Sequence, residues 1–175
     1  LLVAAADKYK RIVQIGTQRR SWPVLTQGLA ELKGGVIGKV YMAKAWYANT
    51  RGPIGAGKVV PVPSNLDYDL WQGPAPRRPF KDNLIHYNWH WFWDFGNGDT
   101  GNQGVHQMDV AMWGIKDATL PSRVWSLGGR FGYEDQGQTP NTQLTVFEYG
   151  DTILLFETRG LVEKKDSAPA DKKSD

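Results

Sequence analysis

All three histidines of the 175-residue chain fall between residues 86 and 113, in the stretch HYNWHWFWDFGNGDTGNQGVHQMDVAMW. The same stretch holds four of the eight tryptophans, together with Asp94, Asp99 and Asp109. Imidazole titrates near neutrality, so a histidine can take a proton from a hydroxyl or return one to a carbonyl oxygen. His106 is the best candidate for that work. Asn102 precedes it by four residues, one helical turn away on the same face, where an amide can orient the ring or a substrate. A single helical histidine is more often structural than catalytic, so spacing alone leaves both readings open.

Three further patterns in the stretch suggest other chemistry. His86, His90 and Asp94 recur every fourth residue and, with His106 and Asp109, could surround a divalent metal. The density of tryptophan instead favours structural histidines in a packed aromatic cluster, and no metal is expected. Trp89, Trp91, Phe92 and Trp93 could form a platform for sugar rings, or simply a core. Finally, GNGDTG at residues 96–101 fits the G-x-G-x-x-G pattern of dinucleotide sites. A tryptophan-rich segment precedes it where a buried aliphatic strand is required, so it reads as a glycine-rich turn into a helix.

The elements that must position these residues follow from periodicity. Val105, Met108, Met112 and Trp113 predict a helix ended by Gly114, with Asn102 as its N-cap. Residues 1–10 read as the tail of a helix and 11–16 (RIVQIG) as a short strand. Ser21 is expected to cap a second helix that has Pro23 in its first turn and runs to Gly34-Gly35. Residues 39–49 read as a strand with two covered faces or a bulge. Residues 51–85 contain six of the ten prolines and form a long irregular excursion, with DYDLWQGPAPRRPF packing down inside it. Residues 123–133, 142–149 and 152–158 alternate as antiparallel strands, the last two joined by a tight turn at Gly150-Asp151.

Composition narrows the class. The chain is 41% hydrophobic and 22% charged, enough for one real core. With no cysteine, disulfides, thiolate metal sites and thiol catalysis are excluded. The net charge of +3 is mild and the basic residues occur as scattered pairs, so a nucleic-acid footprint is not expected. No apolar run is long enough to span a bilayer, and no membrane partner is expected. The opening LLVAAADKYKRIV carries its charges after its apolar part, unlike a signal peptide, and reads as the middle of a longer protein.

Four motifs, taken in order, resemble the glucose-fructose oxidoreductase / inositol dehydrogenase / MocA (Gfo/Idh/MocA) family, especially its bacterial, sugar-oriented branch. They are VQIGTQRRS from Val13, GGVIGKV from Gly34, DYDLWQGPAPRRPF from Asp67 and the long stretch from His86 to Gly114. The resemblance spans about residues 1–161 and implies an α+β fold, an open, mainly antiparallel sheet with helices on one face. Residues 1–16 would be a remnant of an N-terminal NAD(P)-binding Rossmann domain. Residues 17–161 would be part of the C-terminal substrate and oligomerisation domain, and 162–175 a disordered charged tail that stands where further strands would complete the sheet.

The same resemblance implies the roles. The family's Asp-x-x-x-His pair falls on Asn102 and His106, with Gly104 between them. An amide orients but carries no proton, so the acid/base role shifts to His106. Arg20, His90, Trp91, Asp94 and Gln103 would face the substrate, and Gln18 and Arg19 the cofactor. The implied parent uses NAD or NADP to oxidise a sugar or cyclitol hydroxyl and forms homo-oligomers through the sheet. Its own nucleotide fingerprint and its Glu-Lys-Pro lysine would lie upstream, leaving this piece inactive alone. Glycoside cleavage through NAD-dependent oxidation and elimination, and a non-catalytic sugar-binding or oligomerising module, stay open. So do the bacterial cytoplasm and periplasm.

Overall fold

A computed structural model describes residues 1–161; the expected disordered tail, 162–175, lies outside them. The chain forms two compact units that divide after Gly38, whereas the resemblance places its domain boundary at Gly16.

The first unit contains α1 (Leu2–Tyr9) and α2 (Pro23–Lys33), joined through a 3-10 turn at Gln18–Ser21. Lys10 ends α1 in the left-handed conformation, at φ 50°. Pro23 opens α2, where its missing N–H costs nothing. Ser21 is not the cap expected of it: it closes the 3-10 turn, and Trp22 takes the N-cap position without a side-chain bond. Residues 11–16 are not a strand either. A strand needs a neighbour for its N–H and C=O groups, and no strand pairs with this segment among the described residues. Ile12, Val13 and Ile15 are exposed along it.

The second unit is built on a four-stranded mixed sheet of β1 (Met42–Ala48), β2 (Arg123–Gly129), β3 (Thr142–Tyr149) and β4 (Thr152–Arg159), in the order β1-β4-β3-β2. β2-β3 and β3-β4 are antiparallel, the latter closed by the two-residue turn at Gly150-Asp151. β1 runs parallel to β4, pairing Ala45 with Phe156. A parallel partner requires a long crossover, and residues 49–151 supply it. β1 has one covered face rather than two, since exposed and covered residues alternate along it. β2 ends at Gly129, four residues short of the expected strand, because residues 130–141 leave the sheet as a loop.

Helix α5 (Gly104–Trp113) covers one face of the sheet over β1 and β4. Its Met108, Ala111 and Met112 meet Ala45, Leu154, Phe156 and Ile115 in a core. Leu154 and Phe156 are each 1% exposed, and full burial of side chains this size stabilises by about 1.5–3 kcal/mol apiece. On the opposite face Met42, Trp46, Trp125 and Leu127 are exposed. A second core lies in the loops. Tyr68, on the short helix α3 (Tyr68–Gln72), packs with Phe80, Leu84 and Phe92, and Trp71, Trp89 and Phe95 close around them. The excursion thus packs down as its aromatic content predicts. No helix among the described residues is long and apolar enough to cross a membrane.

Candidate functional site

The glycine-rich stretch delivers the chain into α4 (Gly98–Asn102), which meets α5 at Gln103. Gly98 has a φ of 66°, and a Cβ on it would lie 2.7 Å from Thr139 Oγ1. Only glycine satisfies both demands. Gln103 keeps helical angles, and its N–H bonds the Asp99 carbonyl at 2.9 Å while its own carbonyl accepts from His106 at 3.0 Å. Asn102 is therefore not the N-cap of α5 but sits inside a nearly continuous helical run. Asn102 thus ends α4 and His106 lies in the first turn of α5, with the Gln103 junction between them.

Gly104 sets how closely α5 lies on the sheet. A Cβ there would come within 2.9 Å of the Phe156 ring. With Gly104, Met108 and Met112 turned to the sheet, His106 lies roughly 200° around the helix from Gly104, on the side away from it. His106, Asn102 and Gln103 are all half-buried. The Nδ1 atom of His106 is buried without a hydrogen-bond partner among the described residues.

The α4–α5 corner is held by a pair of charges that periodicity does not reveal. Asp99 has a fully buried side chain and accepts from Arg51 Nη2 at 2.9 Å and Arg51 Nε at 3.3 Å. Arg51 also donates to the hydroxyls of Tyr47, at 2.9 Å, and Tyr87, at 3.1 Å. Its guanidinium lies 5.4–5.7 Å from the ring centres of Tyr47, Tyr87 and Trp91, close enough for cation–π attraction. Burial works against the charge on Arg51, but the hydrogen bonds and charge of Asp99 outweigh it and raise its pKa further. The one available hint was weak: Arg51 lies three residues beyond the end of β1 and Asp99 breaks a run of glycines.

The other expected residues have definite places. Trp91 is 4% exposed and forms a wall of the Arg51 cage. His90 stacks on Trp89, with ring centres 3.7 Å apart, and its Nδ1 lies 2.6 Å from the Tyr87 carbonyl oxygen. Asp94 is ion-paired with Arg78, whose guanidinium lies over Phe95. His86, His90 and Asp94 do not line one helix face, because the segment is a 3-10 turn at Asn88–Trp91 flanked by irregular chain. No group of three potential metal ligands exists among the described residues. Gln18, Arg19 and Arg20 lie together on the 3-10 turn of the first unit, with the Arg19 guanidinium 5.9 Å from the Trp22 ring.

A second buried ion pair lies between Arg130 and Asp135. Asp135 accepts from Arg130 at 2.6 and 2.5 Å and from the backbone N–H of Ile54 and Gly137 at 2.7 and 2.9 Å. Burial pushes its carboxyl up, but Arg130 and the two N–H groups more than offset this and hold its pKa below the ordinary carboxylate value. The 130–141 loop is thereby fastened to the excursion, and Gln138 fastens it to the tryptophan segment through the Trp93 N–H at 2.9 Å.

Residues 16–155 match the family model described as the oxidoreductase family, C-terminal alpha/beta domain. Solved structures share the fold. The WlbA dehydrogenase from Bordetella pertussis, in complex with NADH and UDP-GlcNAcA, aligns at a TM-score of 0.60 and 14% identity over 92% of this chain and 39% of its own. The WlbA dehydrogenase from Chromobacterium violaceum, with the same two ligands, aligns at 0.60 and 18% identity over 92% of this chain and 37% of its own. An oxidoreductase from Thermotoga maritima aligns at 0.54 and 16% identity, over 93% of this chain and 41% of its own. The chain thus spans roughly two-fifths of the length of these structures. No curated protein matches the sequence.

Proposed function

Because the chain belongs to the Gfo/Idh/MocA oxidoreductase family, as its C-terminal alpha/beta domain, we propose that it is the substrate-bearing part of an NAD(P)-dependent oxidoreductase acting on a sugar or cyclitol hydroxyl. The observation that carries this reading is the half-buried step from Asn102 to His106, on the side of the helical run away from the sheet. A hydroxyl held there meets an imidazole and an amide in a wall kept rigid by the Arg51–Asp99 pair. Asn102 orients the substrate and His106 bonds the oxygen whose proton is exchanged, with Gln103 beside them. His90, Trp91 and Asp94 shape the wall behind. The binding of UDP-GlcNAcA by the WlbA dehydrogenases supports a sugar-like substrate.

The described residues lack a cradle for a dinucleotide. Around the one glycine-rich pattern, the space beside Gly96, Gly98 and Gly101 is filled by His90, Thr139 and Asn97. A nicotinamide cofactor, which supplies the hydride acceptor when bound, would be held by an upstream domain of the parent, with Gln18, Arg19 and Arg20 at its border. The exposed Ile12, Val13 and Ile15 fit this reading, since a neighbouring strand of that domain would cover them. The open sheet face around Met42, Trp46, Trp125 and Leu127 would serve as the surface through which the parent oligomerises.

The test is to recover the coding sequence upstream of Leu1, express the full-length parent and follow NAD(P)+ reduction with sugars, cyclitols and sugar nucleotides. Turnover by the parent, and none by the chain alone, is the expected result. The reading fails if no nucleotide-binding fingerprint lies upstream, or if the isolated chain turns over substrate.

A further inference from the structure

We infer that His106 carries its proton on Nε2 and so acts as a hydrogen-bond donor to the substrate oxygen, not as the base that removes the hydroxyl proton. The identity of that oxygen rests on the dehydrogenase reading; the tautomer does not.

A neutral imidazole has one N–H and one lone pair, and the partner of one nitrogen sets the role of the other. To act as a base through Nε2, His106 must hold its proton on Nδ1. That nitrogen is buried and has no acceptor among the described residues. An N–H left there unsatisfied bears its full desolvation penalty, and orphaned buried N–H groups are rarer than orphaned acceptors. The next side chain, Gln107, has a buried Oε1 that is also unpartnered. The nearest spare acceptor in sequence is therefore not aimed at Nδ1. Asn102, one turn earlier, has an amide oxygen that can accept, but it does not reach Nδ1, which has no partner among the described residues.

His90 provides the contrast within the same molecule. Its Nδ1 lies 2.6 Å from the Tyr87 carbonyl oxygen, which can only accept, so Nδ1 must donate and Nε2 holds the lone pair. The two histidines are thus held in opposite tautomers. With its proton on Nε2, His106 stabilises negative charge developing on the substrate oxygen. The hydroxyl proton then leaves to another base of the parent.

Long-range proton–nitrogen correlation spectra of the nitrogen-15-labelled chain, recorded in alkaline buffer with the imidazoles neutral, read the tautomers directly. His86→Gln and His90→Gln assign two rings and leave His106 by difference, so no His106 variant has to fold. Expected are Nε2–H for His106 and Nδ1–H for His90; an Nδ1–H form of His106 overturns the inference. In the full-length parent, His106→Gln, which keeps an N–H donor, should retain about tenfold more kcat/KM than His106→Ala, and its pH profile should keep the wild-type limb. Equal loss in both variants, with that limb gone from His106→Gln, overturns it too. A parent without turnover would sink the dehydrogenase reading, while the spectra would still decide the tautomer.

Discussion

The sheet layer and the loop layer of the second unit are held together by different forces. Around Leu154 and Phe156 the contacts are carbon on carbon, supplied by alternation along β4 and by every third or fourth residue of α5. Around Arg51 and Asp135 the chain is held by two buried ion pairs, one of which joins residues 48 apart. Apolar packing weakens in proportion to the volume removed. A buried ion pair fails when one partner is lost, because the remaining charge stays behind without compensation.

The widest separation between the layers should come from Asp99→Asn. Arg51 would keep its charge inside the aromatic cage with no counter-charge, and the expected loss is about 3–5 kcal/mol in urea unfolding. Arg51→Met combined with Asp99→Leu removes both charges and should recover most of that loss. A double variant as unstable as the single one would show that packing, not charge, holds this corner. Leu154→Ala tests the sheet layer and should cost about 3 kcal/mol. Here a larger aliphatic, as in Leu154→Met, should restore nearly all of it.

A smaller effect, about 2 kcal/mol near neutral pH, is expected of Asp135→Asn, which strands Arg130 and weakens the bonds to Ile54 and Gly137. This one depends on pH. The folded-state pKa of Asp135 is depressed, so its stabilising contribution is complete above the unfolded-state value and disappears as pH falls through the folded value. Urea midpoints of wild type and variant should therefore differ at pH 7 and converge in acid below the ordinary carboxylate range. A constant gap would mean that the carboxylate charge is not what Asp135 contributes. The least effect is expected on the open sheet face, where Glu157 pairs with Lys44 and Arg159. Glu157→Gln should change stability by less than about 1 kcal/mol, and added salt should shrink even that.

The same division explains what could be read without coordinates. β3, β4, their two-residue turn and the stop of α5 at Gly114 were legible because each depends on neighbours a few residues away. The errors fall where distant chain decides. Residues 11–16 alternate like a strand yet find no partner among the described residues. Asn102 has the chemistry of an N-cap, but α4 precedes α5 and absorbs it. β1 is as apolar as a doubly covered strand, yet one of its faces is open. In the site, His106 and Asn102 stand out by residue type and spacing. The Arg51 cage could not be found that way. Tyr47, Arg51, Tyr87, Trp91 and Asp99 come from a strand end, a proline-rich excursion, the tryptophan-rich 3-10 segment and a glycine-rich turn, with no common period.

The sequence by itself determined the β3–β4 hairpin and the helix that ends at Gly114, because hydrophobic alternation and helical spacing are local properties of the chain. It also determined the family, because four motifs keep their types and order. Only the tertiary structure decided which polar groups lose water and which partners they meet. Tertiary contact turns Arg51 and Asp99 into a clamp, gathers around Asp135 the Arg130 guanidinium and backbone N–H groups that depress its pKa against the opposing effect of burial, and leaves Nδ1 of His106 without an acceptor. Those are properties of a surrounding low-dielectric interior, which no stretch of residues carries on its own.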